Sequence, residues 1–600
     1  MPTVAPYGSW VSPVTAELVT GSEVGLGQPA LDGADVYWLE ARPEEGGRSV
    51  LVRRAADGTT ADLTPAPFNV RTRVHEYGGG AYAVAGGVVV AVNFADQRLY
   101  RLRPGAEPEP LPPESDRRQR SADLALDLPR GRVLAVREDH RAGGREPENT
   151  LVEVPLGGRD DPGTVVAAGH DFFSSPRLSH DGRRLAWLTW DHPNMPWDGT
   201  SLWVGEVGSE GAPVDVRRVA GGPEESIVQP EWSPDGTLHF ASDRTGWWNL
   251  YRLRDGGEAV PLCPMAAEFA GPAWVFGLFW YAFLGPDDVL CCFGQNGTWR
   301  LGRLDAAAGR LTPYDPPYTE FGGVRAADRR AVMLVGAPDR PSAVAALDPA
   351  TGAVTELRRA AELAVDPAYL SRPESLTFPT DDGDAHAFYY PPTNPEFEAP
   401  PGERPPLIVK SHGGPTGSAS GALRLAAQFW TSRGFALVDV NYGGSTGFGR
   451  AYRERLQGRW GEVDVRDCAR AAEHLVALGK ADGDRLAITG GSAGGYTTLC
   501  ALAFTDTFRA GASHYGVSDL EALARDTHKF ESRYLDRLVG PYPEAKATYE
   551  ARSPLRHAGR LSCPVIFFQG LEDAVVPPNQ AEMMVEALRR KGVPVAYLTF

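Results

Sequence analysis

The pattern of the chain changes character near residue 360, and that change limits the available folds more than any other feature. Before it, short apolar runs of β type alternate with Gly, Pro and Asp turns, and long helical patterns are scarce. After it, strands of four to six apolar residues alternate with amphipathic helices, the order of an α/β sheet. Six hundred residues exceed one hydrophobic core, so a multidomain chain is expected. The reading is an N-terminal segment over 1–20, an all-β region over 21–358 and an α/β domain over 359–600. The 68 glycines and 51 prolines suit the many turns that short strands require, and they argue against helical bundles.

The all-β part carries an internal repeat. Ser175-Pro-Arg-Leu-Ser-His-Asp-Gly182 leads into an apolar strand over 184–189, and Gln229-Pro-Glu-Trp-Ser-Pro-Asp-Gly236 leads into another over 237–241. A looser copy, Gln28-Pro-Ala-Leu-Asp-Gly33, precedes a strand over 36–39. Units of about 40–55 residues with four short strands are propeller blades, and the region has room for about six or seven. Two unrelated β-sandwiches are the alternative. Ahead of the repeats, Ser12 and Pro13 read as the cap and first position of a short helix through Val19, placed to pack on the second domain.

Composition narrows the partners. Lys plus Arg total 60 against 77 for Asp plus Glu, a formal charge of −17, which disfavours nucleic acid and anionic membrane. The six cysteines form no CxxC pair and no Cys/His cluster of zinc spacing, so no metal site is expected. The glycine runs lack the Lys-Ser/Thr of a phosphate loop, and no cofactor is expected. No signal peptide and no run of 18 apolar residues is seen, so the expectation is a cytoplasmic protein without a membrane partner. Homo-oligomerisation is compatible with this sequence.

The α/β part holds the chemistry. A strand over 485–489 runs into Gly490-Gly491-Ser492-Ala493-Gly494, followed by a helix through about Ala503. This GxSxG pattern between strand and helix is a nucleophile elbow, where small neighbours let the chain turn sharply and push a serine hydroxyl outward. Ser492 is the candidate nucleophile, and a phosphate-binding turn is the alternative. His412-Gly413-Gly414-Pro415 ends an earlier strand over 407–410. Its glycines let backbone N–H groups approach an oxyanion, the expected pair being Ala493 and Gly414, with Gly413 as the alternative donor. Asp573, just past a strand over 565–568, is the candidate acid that orients a histidine, ahead of its neighbour Glu572.

In this arrangement the order is Ser, acid, His, yet residues 574–600 contain no histidine. Three readings compete: the natural chain continues, the chain was cut, or the protein is an inactive homologue. Retention of Ser492, Asp573 and both oxyanion glycines favours the first two. His412, His514 and His557 are read as structural.

Taken together, these motifs resemble the prolyl oligopeptidase family of serine peptidases, nearest its acylaminoacyl-peptidase and aminopeptidase branch. The resemblance spans essentially the whole chain. It rests on the propeller turns, His412-Gly-Gly-Pro415, Asn441-Tyr-Gly-Gly-Ser-Thr-Gly-Phe-Gly449, Gly490-Gly-Ser-Ala-Gly-Gly-Tyr496, Phe530-Glu-Ser-Arg-Tyr534 and Glu572-Asp573 before Val575-Val-Pro577. It implies a β-propeller restricting access to an α/β-hydrolase domain, and a histidine in a Gly-His-Gly context beyond the last strand. Ala574 stands where several relatives carry an arginine that holds a substrate carbonyl, so anchoring must differ here.

The resemblance implies an exopeptidase that hydrolyses short peptides from the N-terminus through an acyl-serine intermediate. An aminopeptidase needs a carboxylate for the substrate ammonium, and an acylaminoacyl-peptidase needs a neutral recess. Glu76, in Val74-His-Glu-Tyr-Gly-Gly-Gly80, is the candidate carboxylate. Phe530 and Tyr534 are candidates for the substrate pocket, while Trp460 reads as core. The alternatives are a hydrolase of aminoacyl amides or esters such as puromycin, and, if the histidine is truly absent, a non-catalytic binding protein in which the propeller does the work.

Overall fold

The computed structural model describes residues 2–21, 23–111, 115–144, 146–157, 163–209, 211–254, 257–327 and 329–600. Two compact units emerge: one of residues 1–21, 338–340 and 363–600, the other of 22–337 and 341–362.

The second unit is a seven-bladed β-propeller. Its blades are seven separate four-stranded sheets, each built from four strands consecutive in the chain. They cover 25–62, 82–110, 119–167, 172–222, 227–261, 281–313 and 320–359. The repeated Asp-Gly turns fall at one place in the blade, between its first and second strands. In the fourth blade Ser179 Oγ donates to Asp181 Oδ1 at 2.6 Å and Gly182 takes φ +68°. In the fifth, Ser233 Oγ meets Asp235 Oδ1 at 2.5 Å and Gly236 takes φ +84°. A turn that needs a left-handed residue after Asp explains why Asp-Gly recurs.

The apolar residues lie between neighbouring blades rather than within one sheet. Val90, Val92, Leu124, Val133 and Val152, for example, pack the second blade on the third. Polar side chains tie the innermost strands in series. Ser175 N donates to Asp123 Oδ2 (2.6 Å), Arg177 Nε to Glu231 Oε1 (2.8 Å) and Gln229 Nε2 to Tyr281 O (2.7 Å). The first and last blades share no strand pairing among the described residues; Trp38 and Val52 pack on Val332 and Val344 instead. Val24 N donates to Ala360 O at 2.8 Å where the chain enters and leaves the ring.

The first unit is built on an eight-stranded sheet. In chain order its strands are β1 (Glu374–Thr380), β2 (Gly383–Tyr390), β3 (Leu407–Ser411), β4 (Ala436–Asn441), β5 (Leu486–Gly491), β6 (Ala510–His514), β7 (Val565–Gln569) and β8 (Val595–Thr599). They lie in the order β1-β2-β4-β3-β5-β6-β7-β8. The β1–β2 and β2–β4 pairs are antiparallel and the rest parallel. This is an α/β-hydrolase fold with β5 in the middle.

Three local differences from the sequence reading have physical causes. Strands β1 and β2 escape a reading for apolar runs, because β1 is an edge strand that tolerates Pro379 in its ladder. The amphipathic pattern over 419–432 suits one helix in sequence, yet the helix is only Leu425–Thr431. Its first residues are held in a loop, where Ala419 N donates to Asn441 Oδ1 at 2.7 Å. The N-terminal helix is Ala16–Thr20, capped by Thr15 Oγ1 on Leu18 N rather than by Ser12. Ser12 Oγ instead donates to Ser432 Oγ at 2.6 Å. Val14, Leu18 and Val19 pack with Leu370, Leu423 and Phe429 of the same unit. Among the described residues no helix is long and apolar enough to cross a membrane.

Candidate active site

Ser492 joins β5 to the helix Ala493–Phe504 and takes φ +54° and ψ −119°, a strained conformation for a non-glycine residue. The local sequence makes that turn possible. A Cβ at Gly494 would stand 2.2 Å from Ser411 O, and one at Gly490 would stand 2.3 Å from Gly494 O. Only hydrogen fits at either place. Ser492 N donates to His514 O at 2.9 Å, so the backbone of β6 supports the elbow. The following helix directs its positive end at Ser492, which favours negative charge developing there.

The glycines after β3 come close to the serine. A Cβ at Gly413 would lie 3.7 Å from that of Ser492, and Gly414 takes φ +121°. Tyr534 fixes the loop beyond them, with its hydroxyl 2.6 Å from Thr416 Oγ1 and accepting from Thr416 N at 3.1 Å. His412 holds the loop from the other side. Its Nε2 lies 2.7 Å from Ser445 Oγ and its ring stacks on Tyr442 at 4.3 Å. Burial pushes its pKa down to about 4, so it is neutral at pH 7.

Asp573 caps the turn after β7. Its Oδ1 accepts from Val575 N and Val576 N, both at 2.9 Å, which fixes the carboxylate while Oδ2 makes no hydrogen bond among the described residues. Ser492, Ala493, Gly414, Tyr534 and Trp460 line one small cavity of about 30 Å³ together with Val575 and Val576. Trp460, read as core from the sequence, therefore faces the site as well. Phe530 is buried and stacks parallel to His528, but it does not line that cavity.

The other histidines sit in structural roles. The His514 ring stacks on Phe568 at 4.6 Å, with burial lowering its pKa, and His557 meets Phe504 edge-on at 5.0 Å. Glu572 and Ala574 are exposed.

Glu76 lies in the propeller unit and is already matched in charge. Arg120 Nη1 donates to its Oε1 at 2.7 Å and Arg73 Nη2 to its Oε2 at 2.8 Å. Burial opposes ionisation there, yet the two guanidinium groups hold its carboxyl below the ordinary range. A carboxylate so engaged is a poor receptor for a substrate ammonium.

The sequence reading missed two groups of polar residues. Asp464 accepts from Gly461 N at 2.7 Å and from Thr497 Oγ1 of the elbow helix at 2.6 Å. Asp467 accepts from Gly443 N at 2.8 Å. Burial raises both carboxyls to about 6. Two acids three apart on the inward face of the helix Val463–Ala477 are the signal that was available. The second group, Thr527 and Glu531, lines the cavity beside Ser492.

The model of the prolyl oligopeptidase family matches residues 422–600. A crystal structure of a puromycin hydrolase superposes with a TM-score of 0.95 at 44% identity, covering 100% of this chain and 94% of that one. A puromycin-hydrolyzing peptidase of Mycobacterium tuberculosis gives 0.95 at 45%, with the same coverage. Among curated proteins, the dipeptidyl aminopeptidase BIII of Pseudoxanthomonas mexicana is 33% identical over 201 residues, 32% of this chain and 29% of that protein. The acylamino-acid-releasing enzyme of Arabidopsis thaliana is 31% identical over 207 residues, 33% and 27% respectively. The matches thus span less than a third of these curated relatives' length. A seven-bladed propeller on the same chain as an α/β-hydrolase domain with a GxSxG elbow defines the class of propeller-bearing hydrolases. Within that class, this chain belongs to the prolyl oligopeptidase family.

Proposed function

We propose that the protein is a serine exopeptidase, releasing residues from the N-terminus of short peptides through an acyl-serine intermediate. The observation that carries this reading is the elbow itself: Ser492 at φ +54° shares a cavity with Ala493 and Gly414. In the proposed reaction Ser492 Oγ attacks the carbonyl carbon while its proton passes to a histidine base that Asp573 orients. The N–H groups of Ala493 and Gly414 receive the negative charge, the C–N bond breaks as the base returns the proton to the departing amine, and water then hydrolyses the acyl-serine to give the acid and restore the Ser492 hydroxyl. Residues 574–600 supply no histidine.

A second reading, hydrolysis of small aminoacyl amides, draws on the two structural relatives at 44% and 45% identity, whose names refer to puromycin. Both readings use the same serine. The test is turnover of amino-acid anilides and of peptides of rising length by this chain, with Ser492→Ala as control and with added imidazole as an external base. Ser492-dependent release is expected, with a fall-off for long peptides if the propeller limits size. Release unaffected by Ser492→Ala, or none even with imidazole, would overturn the assignment.

A further inference from the structure

We propose that the propeller unit binds a small monovalent carboxylate in its central cavity, with Arg325 and Gln28 as the receptors. The site begins with a repeated irregularity of the strands. In five blades two residues of the first strand face one of the second: 28–29, 123–124, 175–176, 229–230 and 323–324. The leading residue of each of these bulges is left-handed, with φ between +48° and +62°. A bulge re-aims the side chain that follows it. Here the followers are Ala30, Ala125, Arg177, Glu231 and Arg325, and all five line one cavity of about 310 Å³. The two alanines leave room, while the other three carry charge, as does Asp123 at the head of its own bulge.

These charges are unevenly matched. Arg177 donates through Nε to Glu231 at 2.8 Å and through Nη1 to Asp123 at 3.4 Å, so one cation serves both acids. Arg325 makes no hydrogen bond and no ion pair among the described residues. Its guanidinium lies over the Phe279 ring, with Cζ 3.1 Å from the ring centroid. Stacking uses the face of a guanidinium and leaves the N–H groups along its edge to other acceptors. Burial pulls its pKa down to about 10, against the pull of Glu231, so Arg325 remains a cation at pH 7.

Gln28 supplies an independent observation. It heads the bulge of the first blade as Gln229 heads that of the fifth, and each main-chain carbonyl accepts a tyrosine hydroxyl, from Tyr82 and Tyr281 respectively. The Gln229 carboxamide is fully engaged, Nε2 donating to Tyr281 O and Oε1 accepting from Trp280 N, both at 2.7 Å. The Gln28 carboxamide makes no hydrogen bond among the described residues, and Gln28 lines the cavity. Its bulge adjoins that of Arg325: a Cβ at Gly323 would stand 2.9 Å from Pro29 Cδ. Two sets of unspent donors, a guanidinium edge and an amide, thus come from neighbouring bulges to one recess. A planar carboxylate matches the guanidinium fork. Asp123 and Glu231 in the same walls penalise a second negative charge, which selects a monovalent carboxylate over phosphate.

The test measures binding in the full-length Ser492→Ala protein, so it stands apart from the fate of the proposed reaction. N-acetylglycine, N-acetylglycinamide and inorganic phosphate are titrated calorimetrically at pH 7, with and without Arg325→Met. N-acetylglycine is expected to bind about tenfold or more tighter than its amide and than phosphate. Arg325→Met is expected to weaken N-acetylglycine about 10- to 100-fold, the range of a lost charged hydrogen bond, and to leave the amide unchanged. Gln28→Glu serves if Arg325→Met fails to fold: its new carboxylate has the shape of the amide and would claim Arg325 for itself, so the same loss is expected. No binding of N-acetylglycine, or phosphate bound as tightly, would overturn the proposal. So would N-acetylglycine binding that survives both substitutions, which would place the acid at another site. Equal losses for acid and amide would overturn it too, because the cavity's shape rather than its charge would then be what the substitution removed.

Discussion

Replacing Gly494 by alanine tests the elbow's geometry most directly. The added methyl group would stand 2.2 Å from Ser411 O and 2.9 Å from His412 O, both backbone atoms that cannot swing aside. Real Cβ atoms essentially never come closer than 3.0 Å, so β3 and the elbow helix must separate by about 0.8 Å. Overpacking of this kind costs about 1–3 kcal/mol, and about 2–4 °C in melting temperature follows for each kcal/mol in a domain of this size. The activity loss should be larger than the stability loss suggests. Ser492 and Gly414 sit on the two parts that separate, and a displacement near 1 Å in a reacting geometry costs on the order of 100-fold. Thermal unfolding and anilide turnover of Gly494→Ala should therefore both fall, against Gly559→Ala as control, where a methyl group meets nothing within 4 Å. A Gly494→Ala protein as stable and as active as the control would refute the steric account of the elbow.

Three further outcomes are expected. Tyr534→Phe removes the hydroxyl that holds Thr416, leaving a buried N–H without its acceptor; about 1–3 kcal/mol of stability should go, and kcat should drop more than KM changes, because the loop carries Gly414. Asp464 is raised to about 6 by burial, so the folded state holds its proton over a window in which the unfolded chain, titrating near 3.8, does not. Its contribution is therefore present below about pH 4 and lost as pH rises through 6, on the order of 3 kcal/mol for two pKa units. In urea unfolding, Asp464→Asn should gain on the wild type between pH 4 and 7, and a constant difference would contradict this. Arg177→Met in the propeller should cost about 3–5 kcal/mol by leaving Asp123 and Glu231 without their shared cation; a loss below about 1 kcal/mol, read by near-ultraviolet dichroism, would show that the pair is solvated.

The sequence disclosed those features whose requirements are local. A serine on a sharp turn demands small residues at 490 and 494, and a blade turn demands Asp-Gly, so both can be read within ten residues. Features assembled across the chain stayed hidden. Arg120 neutralises Glu76 from 44 positions away, and nothing near Glu76 announces it. Glu531 lies within Phe530-Glu-Ser-Arg-Tyr534, yet only the packing of its helical turn beside the elbow shows that it lines the cavity of Ser492. Asp464 looks like any acid in an amphipathic helix until Thr497 is seen to bond to it. The N-terminal cap was misplaced by three residues because Ser12 and Thr15 both satisfy the local rule, and only the contact with Ser432 separates them.

The division of the chain also sets an order of events during synthesis. Residues 1–21 belong to the hydrolase unit, but their packing partners, such as Leu370 and Phe429, emerge only after the entire propeller. At about 5–20 residues per second, the N-terminal segment must wait on the order of 20–70 s for them. The propeller suffers no such delay: each blade is four consecutive strands, complete as soon as it leaves the ribosome, and the ring can be assembled before β3 exists. A chaperone that shields Trp10 and Val14 would therefore have its window of use while the propeller is being made, and a blade that folds slowly would lengthen the exposure of a segment to which it does not itself belong.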